Sequence, residues 1–178
     1  VDAMVLSRAL EAAQRLSRGM PFAYAVRRAA FRSLVLEIDE RVLIPRPETE
    51  MLVELVLDAT RDVRGGLAID VGTGSGAIAL ALAQEGTFER VIGVDVSLDA
   101  LDVARYNATA LGPRLRAAVE FRHGSLLRPV AGAWPMPMQP LHPAWWMRAP
   151  AAIRSNSQPP LARSSNVCRD VGLTSKDT

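Results

Sequence analysis

The feature that most constrains the fold is a glycine-rich turn between a strand-like run and a helix-like run. Residues 70–76 read Asp-Val-Gly-Thr-Gly-Ser-Gly, after an apolar run at 67–71 and before an Ala/Leu-rich run at 75–84. Glycines at such a turn let the backbone approach a ligand closely at the N-terminus of a helix. The turn therefore predicts a β-strand and an α-helix that meet at a ligand site.

The residues around this turn continue in strand–helix alternation. The run at 67–71 is typical of a buried strand, further strands are expected at 91–94 and 118–122, and helices are expected at 75–84 and 98–111. A β-α-β-α-β order implies parallel strands with right-handed crossovers. The predicted fold class is α/β, the first half of a doubly wound, Rossmann-like sheet.

The segment before the sheet predicts a helix, a hairpin and a second helix. Apolar residues at helical spacing favour a helix over 4–18. Two short strands are expected at 31–38 and 41–44, with a turn at 39–40. A further helix is expected over 47–62, because a proline and two glutamates suit its first turn.

The charge divides the chain into two parts. Residues 1–127 contain 15 arginines and 17 carboxylates, a net charge of −2, whereas residues 128–178 have a net charge of +4. The basic pI of 9.2 is thus a property of the second part and does not indicate nucleic-acid binding. That part also holds eight of the twelve prolines, and its apolar residues show neither helical nor strand spacing. We therefore expect an irregular C-terminal tail.

Composition excludes several other classes. A single cysteine, Cys168, excludes an intramolecular disulfide, and two histidines are too few for a convincing zinc site. No apolar run approaches the roughly 18 residues that a membrane span needs, and the start shows no signal-peptide pattern. We expect a cytoplasmic protein without metal, membrane or direct nucleic-acid contact.

Two cofactors fit the glycine turn. Gly72, Gly74 and Ala77 match a dinucleotide pattern, which favours NAD. S-adenosylmethionine is favoured because Asp70 can hold its ammonium group directly or through water, and because the tight glycine spacing suits a ligand without pyrophosphate. Asp95, at the end of the second strand, suits ribose hydroxyls in both cases. A turn without a ligand is the third possibility.

Three motifs together resemble one family. They are Arg-Val-Leu-Ile-Pro-Arg-Pro-Glu-Thr-Glu at 41–50, the glycine turn at 70–78, and Val-Asp-Val-Ser at 94–97 followed by Asn107-Ala108. Over roughly residues 21–127 the chain resembles the HemK/PrmC family, the release-factor N5-glutamine methyltransferases. The resemblance implies a class I S-adenosylmethionine-dependent methyltransferase sheet behind a hairpin and an N-terminal helical domain.

The resemblance also implies a cofactor, a partner and a set of binding residues. The cofactor is S-adenosylmethionine, and the partner is a peptide chain release factor with a Gly-Gly-Gln loop. By resemblance the cofactor-binding residues are Asp70, Gly72, Thr73, Gly74, Ser75, Gly76 and Asp95, and the cofactor-proximal ones are Arg46, Pro47, Thr49, Ser125 and Leu126. The expected segments are a remnant of the helical domain at 1–20, the hairpin and helix at 21–64, the cofactor-binding half-domain at 65–127, and the tail at 128–178.

The chain departs from the family pattern where the substrate would bind. The Asn-Pro-Pro-Tyr motif, which orients the substrate amide, is missing, and the run from Asn156 to Pro160 lacks its order and its aromatic residue. Ser125-Leu126 replaces an acidic residue and its apolar neighbour. We therefore assign no catalytic residue, expect impaired activity, and interpret the chain as truncated with a frameshifted tail beyond about Leu127. An NAD(P)-dependent oxidoreductase and a non-catalytic remnant remain the alternatives.

Overall fold

Helices and strands alternate in the computed structural model, which describes residues 2–131. The helices are α1 (Ala3–Ser17), α2 (Phe22–Ala25), α3 (Pro47–Ala59), α4 (Ala77–Glu85) and α5 (Leu98–Leu111). The strands are β1 (Arg28–Phe31), β2 (Leu34–Glu37), β3 (Leu67–Val71), β4 (Arg90–Asp95) and β5 (Ala118–His123). Two 3₁₀ turns, Gly112–Arg114 and Arg128–Val130, follow α5 and β5.

The second half of the described residues is a three-stranded parallel sheet in the order β3-β4-β5. Leu67 is paired with Arg90, which is in turn paired with Ala118. Helix α4 contacts all three strands, and α5 packs on β4 and β5. The predicted α/β fold class and its β-α-β-α-β order are confirmed, including all three strand positions to within one residue.

A single hydrophobic core joins the hairpin to the sheet. Phe31, Leu34 and Leu36 of the hairpin are fully buried in the same cluster as Leu80 and Val91. Four further residues of α4 are buried alanines, which lets the helix lie close to the strands. Burying one leucine such as Leu80 stabilises the fold by about 2 kcal/mol. The hairpin thus gains its stability from the sheet.

The hairpin prediction is wrong in position. Its strands are β1 and β2 with the turn at Arg32-Ser33, and residues 41–44 form no strand. The alternating residues Leu34 and Leu36 belong to β2, which pairs with the segment before it, and Ile38 follows that strand. Arg32 adopts a left-handed φ of 51°, which is uncommon for a residue other than glycine, so nothing in the sequence marks this turn. Helix α3 also ends at Ala59, earlier than expected.

Carboxylates from two helices hold the Arg32 turn. The guanidinium donates to both oxygens of Glu85 at 2.8 and 2.7 Å and to Glu54 at 2.7 Å. The Arg32 backbone N–H donates to the Glu50 carboxylate at 3.0 Å. These bonds fix the hairpin to α3 and α4, because Glu50 and Glu54 lie on α3 and Glu85 ends α4.

Asn107 of α5 makes a second link between the hairpin and the sheet. Its side-chain Nδ2 donates to the carbonyl of Glu37 at 2.9 Å and to that of Ser75 at 3.0 Å. Its Oδ1 accepts from the Glu37 N–H at 2.8 Å. Asn107 is only 2% exposed, so an amide buried in the core joins the end of β2 to the glycine turn.

The first residues of the expected tail are ordered on the sheet. Val130 is buried against Ile92 and Val94, on the side of the sheet that also carries Leu67 and Ile69. The other expectations for the tail, including its irregularity and the run from Asn156 to Pro160, fall outside the described residues. Within residues 2–131 no helix is long and apolar enough to cross a membrane, and no cluster of three potential metal ligands is found.

Candidate functional site

The glycine turn is a loop of left-handed residues that follows β3. Gly72, Gly74 and Gly76 have φ values of 78°, 53° and 82°, a region that glycine alone enters without penalty. The N–H groups of Gly72 and Thr73 donate to the carbonyl of Val94 at 2.8 and 3.0 Å. These bonds fix the loop to the end of β4. Helix α4 begins after the loop, two residues later than predicted, because Gly76 is not helical.

The three glycines differ in their surroundings. A Cβ atom on Gly76 would come within 3.1–3.3 Å of Leu80, Phe121 and Ala104. A Cβ atom on Gly72 or Gly74 would meet nothing within 4 Å. Gly76 is therefore required by both conformation and packing, whereas the first two glycines leave their side of the loop open.

Asp70 lies beneath the loop and is only 6% exposed. Its Oδ2 accepts from the Thr73 hydroxyl at 2.7 Å and from the Ala79 N–H at 3.2 Å. Its Oδ1 accepts no hydrogen bond from any residue in the described range. Burial raises the pKa of Asp70, although these two donors oppose the shift, and the negative charge of Asp95 raises the pKa further.

Asp95 ends β4 and faces the loop. Its Oδ2 accepts from the Gly74 N–H at 2.9 Å, and its Oδ1 accepts from the Ser97 N–H at 2.9 Å. A carboxylate offers about four lone-pair sites, so both oxygens can accept a further bond. The Ser97 hydroxyl accepts from the Ala100 N–H at 3.2 Å and thereby caps α5. The cap holds the backbone that orients Asp95.

A groove of about 400 Å³ runs between the loop and the segment before α3. One wall consists of residues 41–46 and Thr49, and the other includes Gly72–Ser75, Asp95 and Ser97. Two motifs that are more than 20 residues apart in sequence therefore face each other. This arrangement supplies hydrogen-bond acceptors, guanidinium groups and an apolar surface around one cavity.

The predicted site residues divide into those on the groove and those away from it. Seven line it: Arg46, Thr49, Gly72, Thr73, Gly74, Ser75 and Asp95. Asp70 lies beneath the loop, Gly76 is the last residue of the loop, and Pro47 is the first residue of α3. Ser125 and Leu126 follow β5 and are not among the described residues that line the groove.

The sequence reasoning missed part of the wall. Residues 41–44 were expected to form a strand, yet they line the groove together with Pro45. The Arg41 side chain is paired with Asp39 at 2.7 Å, whereas the Arg46 guanidinium makes no bond to any other residue of the described part of the chain. The two prolines that flank Arg46 could have indicated that this segment is not a strand, since proline disfavours regular strand pairing.

Comparisons with known proteins identify the same region. A family model described as a methyltransferase domain matches residues 68–133. A release factor glutamine methyltransferase of Streptococcus pneumoniae is 51% identical over 96 residues, which are 53% of this chain and 34% of that protein. The enzyme of the same name from Burkholderia pseudomallei is 43% identical over 122 residues, which are 68% of this chain and 43% of that protein.

A solved structure also shows local similarity. The ribosomal protein L11 methylase of Lactobacillus delbrueckii subsp. bulgaricus is 30% identical, with 53% of this chain and 46% of that chain covered and a TM-score of 0.42. The chain spans between 34% and 43% of the length of the two curated relatives named above. Over these stretches the chain is therefore similar in sequence to release factor glutamine methyltransferases, and its residues 68–133 match a methyltransferase domain.

Proposed function

We propose that the groove binds S-adenosylmethionine and serves methyl transfer to a glutamine side-chain amide of a peptide chain release factor. The observation that carries this proposal is the juxtaposition of the 41–46 segment with the glycine loop and Asp95. Groups on this groove and just beneath its glycine loop are chemically suited to the polar parts of the cofactor. The relatives' names supply the reaction and the partner.

The available donors and acceptors fit the cofactor. The lone pairs that Asp95 leaves free suit two ribose hydroxyls. The Arg46 guanidinium, which makes no bond to another described residue, and Thr49 on the same wall suit the carboxylate of the methionine portion. Oδ1 of Asp70 suits the ammonium group, directly or through water. The resemblance assigns Ser125 and Leu126, which do not line the groove, to the adenine. When bound, the cofactor supplies an electrophilic methyl group.

The residues that would orient the substrate amide are not identifiable in this sequence. An amide nitrogen is a weak nucleophile, so its alignment with the methyl group is the main task of such a site. The Asn-Pro-Pro-Tyr motif that the resemblance assigns to this task does not occur in the 178 residues. We therefore propose that this chain binds the cofactor and that its transfer activity is impaired.

Calorimetry on the 178-residue chain tests the cofactor. S-adenosylmethionine is expected to bind with one site per chain and NADH is expected not to bind. The names of the relatives do not favour the alternative NAD(P)-dependent oxidoreductase. Binding of NADH without binding of S-adenosylmethionine would overturn the proposal, and binding of neither ligand would favour a non-catalytic remnant.

A methyl-transfer assay tests the activity separately. The chain is incubated with methyl-labelled S-adenosylmethionine and a bacterial release factor that contains Gly-Gly-Gln. We expect no label on the release factor, with a full-length relative as the positive control. Labelling by this chain would contradict the proposed impairment and leave the cofactor assignment intact. The same proposal places the protein in the cytoplasm with release factors, away from membranes and without direct nucleic-acid contact.

A further inference from the structure

Asn107 makes an unusual set of contacts for a buried helical residue. All three of its side-chain hydrogen bonds go to backbone groups of other segments, at 2.8–3.0 Å. None goes to its own helix. Burying an amide is costly unless its polar atoms are all bonded, and a leucine of similar size would fill this place without that requirement.

The two segments that Asn107 joins lead to opposite walls of the groove. Ser75, whose carbonyl accepts one bond, lies in the glycine-loop wall. Glu37, which accepts one bond and donates another, ends β2 four residues before the wall that begins at Arg41. The amide therefore connects the glycine-loop wall with the segment that leads into the opposite wall.

Among the described residues, Asn107 is the only side chain bonded to the Ser75 carbonyl. The loop's own N–H groups are bonded to the carbonyls of Val94 and Thr73 and to the Asp95 carboxylate. The Asn107 bond to the Ser75 carbonyl fixes the loop from the opposite direction. A ligand that contacts both walls binds more tightly when their spacing is already set, because less freedom is lost on binding.

We propose that Asn107 is a positioning residue that sets the spacing between the glycine loop and the 41–46 wall. It touches no ligand in this role and acts through Ser75 and Glu37. The identity of the ligand rests on the proposed function above, whereas the bridge itself does not.

The substitution Asn107→Asp tests this role in the 178-residue chain. Aspartate keeps an acceptor for the Glu37 N–H but places an oxygen where the donor to the Ser75 and Glu37 carbonyls was. We expect amide hydrogen exchange at Gly76 to become at least 10-fold faster, with exchange at Ile92 of β4 unchanged. We also expect the Kd for S-adenosylmethionine, measured by calorimetry well below the melting temperature, to rise at least 10-fold.

The matched control is Leu111→Val, which perturbs a buried residue of the same helix that makes none of the bridge's hydrogen bonds. It is expected to lower stability and to leave the Kd within two-fold of wild type. A Kd within two-fold for Asn107→Asp would overturn the inference. If the wild-type chain does not bind the cofactor, the proposed function fails, but unchanged exchange at Gly76 in Asn107→Asp would still overturn the bridge.

A wild-type measurement covers the case in which Asn107→Asp does not fold. The Glu37 amide lies outside the groove and is bonded to Asn107. Saturation with S-adenosylmethionine is expected to slow its hydrogen exchange, because the ligand tightens both walls that the bridge connects. Unchanged exchange at Glu37 in the saturated protein would contradict the proposal.

Discussion

At the residue scale, the glycines of the loop are required for two reasons. All three have a left-handed backbone conformation, and at Gly76 a Cβ atom would also crowd its neighbours. Gly72→Ala is expected to cost about 1–2 kcal/mol, because its left-handed backbone disfavours a side chain. Gly76→Ala adds the overlap with Leu80 and Phe121, so its total loss is expected to be about 3 kcal/mol. Urea denaturation of both variants checks the difference, and equal losses would contradict the packing at Gly76.

Asp95 carries the sharpest prediction for ligand affinity. Asp95→Asn removes the charge and turns one acceptor into a donor that faces a backbone N–H. We expect the Kd for S-adenosylmethionine to rise about 30-fold, which corresponds to about 2 kcal/mol for bonds to a charged group. Asp58→Asn, an exposed carboxylate on α3, is the control and is expected to leave the Kd unchanged. Similar values for both variants in calorimetry would remove Asp95 from the site.

Asp70 predicts a pH dependence of stability. Its pKa in the folded protein is raised above the ordinary value of 3.8, mainly by burial. Between these two values the folded state binds more protons than the unfolded state, so the stability contributed by Asp70 falls as pH rises through this window and then levels off. Asp70→Asn lacks this titration. As pH rises from about 4, the free energy of unfolding of Asp70→Asn is expected to increase relative to that of the wild type. A difference that does not change with pH would contradict the prediction.

At the scale of elements, the Arg32 turn fixes the hairpin to α3 and α4. The Arg32 side chain is 17% exposed and that of Glu85 is 25% exposed, so the pair is only partly screened by water. Arg32→Ala is expected to lower the free energy of unfolding by about 2 kcal/mol. Arg61→Ala breaks an exposed pair, with Arg61 74% exposed, and is expected to cost less than about 0.5 kcal/mol. Thermal or urea unfolding that ranks them in the reverse order would refute this assignment.

The elements that sequence predicted best are those whose burial pattern is local. The β3 and β4 runs are apolar enough to be recognised alone. The hairpin was misplaced because the left-handed conformation of Arg32 depends on carboxylates from α3 and α4, which are distant in sequence. A turn stabilised by such contacts carries no glycine or asparagine to reveal it.

The site follows the same division. Its glycine loop and Asp95 were recognised because each motif is contiguous. The opposing wall at 41–44 and the bridge from Asn107 were not, since both depend on how the hairpin packs against α5. A resemblance can identify Asn107 as part of a motif, but its three bonds emerge only when three separate segments meet.

At the scale of the whole molecule, β3 is an edge of the described sheet. It is paired only with β4 within residues 2–131, and Val71 near the groove is 44% exposed. Unpaired edges favour association with other chains. We expect sedimentation velocity to show concentration-dependent self-association, reduced by the charge in Val71→Lys. Val35→Lys on β2, which is 58% exposed, is the matched control, and a concentration-independent monomer would contradict the prediction.

The bridge from Asn107 also limits where the length of the chain can change during evolution. A helix turns about 100° per residue, so a single insertion between Ser97 and Asn107 would rotate the amide away from both backbone partners. The first ten residues of α5 are thus fixed in length by a contact made at their end. The largely exposed connection at 60–66 carries no bond of the bridge, so insertions and deletions among homologous sequences are expected more often there than in the first ten residues of α5.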